Sequence, residues 1–178
     1  MQPAPRVVLT AAEIAQCRVW AAERDAVNRR LGTFRQRGPR ASEIGLLTEC
    51  AVHKWAERPF RPRAQGPELC GDLDGVEWLE VKGAEAGRRF LVQEEIPEAK
   101  YLVLRRRAFL FVTWNEPVAT LEGWARGTEL LIPRRLADHF HSKRPCWAMH
   151  RDLLRHADIL KPHLIPARPL NLTQEYVR

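Results

Sequence analysis

Residues Glu68–Lys82 read ELCGDLDGVEWLEVK. Short apolar runs broken by Asp74-Gly75 predict two strands around a turn. In the second strand Glu80 and Lys82 are two residues apart, so an extended backbone points both side chains to one face and Leu79 and Val81 to the other. An acid and a base on one face of an apolar strand are costly to bury without a partner or a task. Asp72 precedes the turn, where its carboxylate can come alongside Glu80 and complete an oxygen site for a hard divalent cation. Asp74 is the rival for that place. Taken alone, a Glu-x-Lys step on a strand reads more often as a surface ion pair than as a catalytic step, so the surrounding elements have to decide.

Upstream, Thr10 with Glu13 forms a capping box for a helix from Thr10 to Leu31 that Gly32 ends. TFRQRGPRA, Thr33 to Ala41, is a basic loop. Ser42 can cap a second helix reaching about Glu57, with Ile44, Leu47, Ala51 and Trp55 on one stripe and Pro59 as its stop. Glu49 lies on or near that stripe, and Gly45 one turn earlier would let the helix approach a sheet closely. Downstream, Phe90 to Gln93 is a third strand candidate and Pro97 to Arg107 a short crossover helix. Phe109 to Trp114, FLFVTW, is the most apolar strand in the chain; Asn115 to Pro117 turns it and Val118 to Trp124 alternates as its hairpin partner. Beyond Gly127 the pattern weakens into short, proline-broken pieces.

The chain of 178 residues with 45% hydrophobic content supports one domain with a core, or one domain plus an appendage. It divides into a helix and basic loop over 1–41, a core over 42–127 and a basic extension over 128–178. Neither a membrane-spanning apolar run nor a secretory h-region is visible, so a cytoplasmic location is expected. Cys17, Cys50, Cys70 and Cys146 are irregularly spaced, which fits reduced thiols. The formal charge is +7, and residues 100–178, with 14 Lys and Arg against 7 Asp and Glu, carry all of it. Residues 24–63 hold 10 basic and 4 acidic residues, whereas 68–98 hold 3 basic and 9 acidic. An acidic island between basic flanks is what a cation site facing a polyanion requires; a solvated surface of mixed charge is the bland reading.

Over roughly Ser42 to Trp124 the chain resembles the PD-(D/E)XK nuclease superfamily. Its members carry an acid on the first core helix, an Asp opening a strand and (D/E)-x-K on the next strand, followed by a helix and another strand. The matching positions are Glu49 in GLLTECAVHKW, with Glu43 the alternative, Asp72 in CGDLDG, and Glu80 with Lys82 in WLEVKG. Gly71 stands where Pro is often found. AFLFVTWNEPVATLEGWARGTEL is similar to the hairpin and Gly-Trp step that follow the core in phage-type members, and Gln93 resembles a metal-side glutamine of some exonuclease branches, although Tyr101 lies too far along for the usual spacing. The resemblance implies an α/β fold with a restriction-endonuclease-like core, a small mixed sheet flanked by helices, an N-terminal helical extension and an irregular C-terminal segment. It also implies cleavage of DNA with Mg2+, Mn2+ substituting, held by Asp72, Glu80 and Glu49, with Lys82 beside the attacking water.

Arg35, Arg37, Arg40, Arg88, Arg89, Arg105, Arg106 and Arg107 are candidate contacts to backbone phosphate. The rival of another class is a non-catalytic nucleic-acid-binding or assembly protein of the same fold. A zinc module built on His139, His141, Cys146 and His150 is a third, with Cys146 and His150 sharing a helix face. Trp78, Trp114, Trp124 and Trp147 read as core and edge packing, with base stacking open to one of them. Nothing in the sequence indicates a homo-oligomer.

Overall fold

The computed structural model describes residues 2–30, 40–60, 72–73, 76–86, 90–94, 98–132, 135–137 and 146–165. Helix α1 (Ala11–Arg30) starts at the expected capping box: Thr10 N–H donates to Glu13 Oε2 at 2.7 Å and Glu13 N–H to Thr10 Oγ1 at 3.2 Å. Ile14, Cys17 and Ala21 recur at helical spacing and are its buried residues, so one stripe of α1 packs inward. That stripe meets α2 (Ala41–Trp55), which is covered on more than one side: Leu46, Thr48, Cys50, Val52 and His53 are buried along with Ile44, Leu47, Ala51 and Trp55. A helix apolar on most of its faces belongs inside a fold, and α2 lies between α1 and the sheet. Ser42 does not cap it. Arg40 holds the N-cap position, and the Ser42 hydroxyl donates instead to Asp25 Oδ1 on α1 at 2.5 Å.

The main sheet has the strand order β1-β5-β4-β2. Strands β4 (Ala108–Asn115) and β5 (Val118–Arg126) form the expected hairpin, extended at both ends, and β1 (Arg6–Val8) adds an antiparallel strand outside β5 that the sequence reading lacked. Strand β2 (Leu79–Glu85) pairs with β4 in parallel, from Leu79 opposite Ala108 to Glu85 opposite Trp114. Parallel neighbours need a crossover, and the chain makes it through β3 (Phe90–Glu94) and α3 (Glu98–Arg105), the short helix expected there. Of the expected first arm before β2, the described residues show a Leu73–Val76 bridge and an Asp72 N–H bond to Leu79 O at 3.0 Å; residues 68–71 and 74–75 lie outside them.

Strand β4 is buried on both faces, as its unbroken apolar run requires. Leu110, Val112 and Trp114 join Leu79 and Val81 in the core under α1 and α2. Phe109 and Phe111 point the other way, into a second core with Leu104, Leu130, Leu131, Trp147 and Met149. The chain is therefore mixed α/β, with a four-stranded mixed sheet between helical cover on one side and a second layer on the other.

That second layer corrects the expected irregular C-terminal segment. Strand β7 (Cys146–His150) pairs antiparallel with β3 and with β6 (Leu136–Ala137), giving a three-stranded sheet in the order β3-β7-β6. The short helix α4 (Gly127–Leu130) precedes it, and α5 (Lys161–Leu164) follows two 3-10 turns. A two-residue strand and a five-residue strand with Pro145 between them leave too short a periodic signal to read locally. Gly123 joins the layers: its φ of +143° falls at a bulge where Phe111 pairs with Gly123 and Val112 with Leu121, and a Cβ there would lie 2.5 Å from Arg155 O. Only glycine lets the Arg155 backbone close on Trp124, with two bonds of 2.9 Å. Among the described residues no helix is long and apolar enough to cross a membrane.

Candidate active site

The site forms at β2, the edge strand beside β4. Extended geometry puts Glu80 and Lys82 on the face opposite Leu79 and Val81, where Lys82 Nζ donates to Glu80 Oε2 at 3.1 Å and stands 6.0 Å from the Phe109 ring centre. Asp72 reaches this strand through the backbone: its Oδ2 accepts from Val81 N–H at 2.5 Å, which fixes the carboxylate between the positions of Glu80 and Lys82. Asp72, Glu80 and Lys82 are thus brought together. Asp74 lies outside the described residues.

Helix α2 supplies Glu49. Its approach to β2 depends on Gly83 rather than Gly45: a Cβ at Gly83 would lie 2.3 Å from Thr48 Oγ1, whereas one at Gly45 would meet only Glu49 Oε1 at 4.0 Å. Thr48 cannot easily yield, because its hydroxyl donates to the Ile44 and Gly45 carbonyls at 2.9 Å each. Glu49 bonds Arg24 of α1 at 3.5 Å. The alternative helical acid, Glu43, is held by Arg18 and Arg40 at 3.0 and 2.9 Å, away from this cluster.

Charge in the cluster is unevenly balanced. Burial, reinforced by the Glu49 and Glu80 carboxylates and opposed by Lys82, pushes Asp72 up to about 7. Burial also holds Glu49 above the usual carboxylate range, with Arg24 and Lys82 only partly offsetting it. Burial pulls the Lys82 amine down, but Asp72 and Glu80 outweigh it, so its net shift is upward and it remains an ammonium at neutral pH. Two carboxylates lacking sufficient positive charge are a donor set that a hard cation suits.

Two residues at the site went unread in the sequence. Arg107, expected to meet phosphate, is buried and donates from its guanidinium to Glu80 Oε1. His53 is also buried, with Nδ1 3.0 Å from Pro59 O and Nε2 3.2 Å from Asp72 O, so it ties down the backbone that presents the Asp72 carboxylate. One signal existed: Glu49 and His53 are four apart on α2 and share a helix face. Nothing local announces the Arg107–Glu80 pair, whose partners are 27 residues apart.

The other expected positions scatter. Arg40 pairs with Glu43 and, at 3.5 Å, with Glu85. Arg105 stacks 5.6 Å over the Tyr101 ring, and Tyr101 itself donates to Leu131 O at 2.6 Å. Arg106 is exposed. Arg35, Arg37, Arg88 and Arg89, together with His139 and His141, lie outside the described residues. Cys146 and His150 are on a strand, not a helix; four steps of about 3.3 Å separate their Cα atoms by roughly 13 Å, and His150 faces Asp152 at 3.0 Å.

As the side chains stand, among the described residues no three of His, Cys, Asp and Glu converge tightly enough to hold a metal ion. Both oxygens of Glu80 are occupied, one by Lys82 and one by Arg107. No family model matches the chain, and no curated protein or solved structure matches it either.

Proposed function

We propose that this protein is a metal-dependent nuclease of the PD-(D/E)XK type, with a restriction-endonuclease-like core, that hydrolyses phosphodiester bonds in DNA. One observation carries the reading. Asp72 accepts from Val81 N–H, so two acids and one amine meet at a single point on β2. The oxygens of Asp72, Glu80 and Glu49 would hold Mg2+, or Mn2+ in its place. When bound, such an ion lowers the pKa of water and neutralises charge on the phosphate.

The chain's own groups do the rest. Asp72, held up mainly by its burial and further by the Glu49 and Glu80 carboxylates, would ionise more readily beside a cation. Glu80 would offer a metal ion the oxygen that now accepts from Lys82, while Arg107 holds the other oxygen from the interior. Lys82, an ammonium at neutral pH, would orient the attacking water and stabilise negative charge developing on the phosphate.

The test is nicking of plasmid DNA with Mg2+ or Mn2+ by the wild type, Lys82→Ala and Asp72→Asn. The expected result is a wild-type rate at least about a hundredfold above either variant. Inert wild type on duplex and single-stranded DNA with both metals overturns the proposal. A non-catalytic DNA-binding protein is the second reading, favoured by one feature: Arg107 and Lys82 already neutralise Glu80. DNA binding that persists without any cleavage selects it.

A further inference from the structure

A groove of about 610 Å3 opens beside the candidate site, where β2 and β4 begin and β5 ends. Its lining includes Arg105, Arg106, Arg126 and His163, and no acidic side chain is among its residues. Arg106, Arg126 and His163 are exposed. Glu129, on α4 next to the groove's Thr128, is already engaged by Arg155. Arg107 in the same wall pairs with Glu80, and Arg126 lies near Glu129, yet the lining as a whole is basic, which favours a polyanion.

The groove also has an aromatic wall. Trp78 keeps 38% of its surface in water, whereas Trp114, Trp124 and Trp147 are buried. A tryptophan this exposed among arginines offers ring surface on which a nucleobase can stack. Trp124 lines the same groove at 8% exposure; its Nε1 and the Nε of Arg105 are buried donors with no hydrogen-bond partner among the described residues.

The groove's size and its connection to the site narrow the ligand. A volume of about 610 Å3 is that of a small-molecule pocket and suits a nucleotide or two. Bases within a duplex are stacked on each other and cannot reach the Trp78 face. Arg107 lines the groove while its guanidinium bonds Glu80, and Trp78 lies two residues before Glu80 on the chain. We infer that the groove binds unpaired nucleotides of the substrate, a base stacking on Trp78 and phosphates on Arg105, Arg106 and Arg126, and feeds the adjoining phosphodiester to Asp72, Glu80 and Lys82. The inference rests on the nuclease reading only for that last step, and it makes the preferred substrate a strand with a single-stranded end, flap or gap.

The test measures binding in EDTA, where no metal-dependent cleavage occurs. The full-length protein is titrated into a labelled oligothymidylate of about a dozen nucleotides and into a blunt duplex of equal length, and anisotropy is followed. The single strand should bind about tenfold more tightly. Trp78→Ala should lose about tenfold on the single strand alone, Trp78→Phe should recover most of it, and Arg106→Ala should lower the salt slope by about one. Equal affinity for both DNAs, or an unchanged Trp78→Ala with native circular dichroism, overturns the groove. Should Trp78→Ala misfold, the Trp78→Phe and Arg106→Ala titrations decide, and an unaltered salt slope in Arg106→Ala counts against the groove. Single-strand binding without cleavage in Mg2+ removes the nuclease reading and leaves the groove standing; cleavage without single-strand preference does the reverse.

Discussion

Replacing Asp72 by Asn should make the protein more stable at pH 8, a direction that follows from the charge imbalance around that carboxyl. In the folded chain Asp72 titrates near 7, against an ordinary value of 3.8. Between those values the unfolded chain has released the proton and the folded chain still holds it, so stability falls as pH rises from about 4 to about 7 and stays low above that. About three powers of ten in the ionisation constant, at about 1.4 kcal/mol each, set an upper bound of about 4 kcal/mol. Asp72 is only partly buried, and solvent screening reduces the expected penalty to about 2 kcal/mol. Asn removes the penalty while its side-chain oxygen still accepts the Val81 N–H. For a chain of this length the gain amounts to roughly 4–8 °C in Tm at pH 8. Thermal melts of both proteins from pH 4 to pH 8 should therefore converge near pH 4 and diverge toward pH 7, with the variant above. Millimolar Mg2+ should raise the wild type and leave the variant unmoved. A variant less stable than wild type at pH 8, or a gap independent of pH, refutes the electrostatic argument.

Further outcomes concern the supports of the site. Gly83→Ala drives a Cβ into Thr48 and should cost about 1–3 kcal/mol in urea unfolding, with part recovered in the Gly83→Ala/Thr48→Ala double variant; strictly additive losses would show the two positions are not in contact. Arg107→Ala leaves the buried Glu80 carboxylate to Lys82 alone and should cost about 1–3 kcal/mol at neutral pH, and adding Glu80→Gln should restore much of the lost Tm. His53→Ala frees the Asp72 backbone and should cost about 1–3 kcal/mol while shrinking the Mg2+-dependent rise in Tm; an undiminished rise would leave His53 with a packing role alone.

Much of this molecule could be read one element at a time. The capping box at Thr10, the central apolar strand at FLFVTW and its hairpin, the crossover helix and the shared face of Glu80 and Lys82 all follow from periods of two or 3.6 residues and from turn chemistry, which are properties of short windows. Tertiary structure decided what no window contains. It put Asp72 on Val81, gave the buried Glu80 to an arginine expected to meet phosphate, set His53 behind Asp72, chose Gly83 over Gly45 as the contact point for α2, and built a second sheet from a C-terminal stretch without usable periodicity. The physical reason is range. A side chain's face is fixed by its own backbone, but its ionisation and partners depend on groups that only folding brings within a few ångströms.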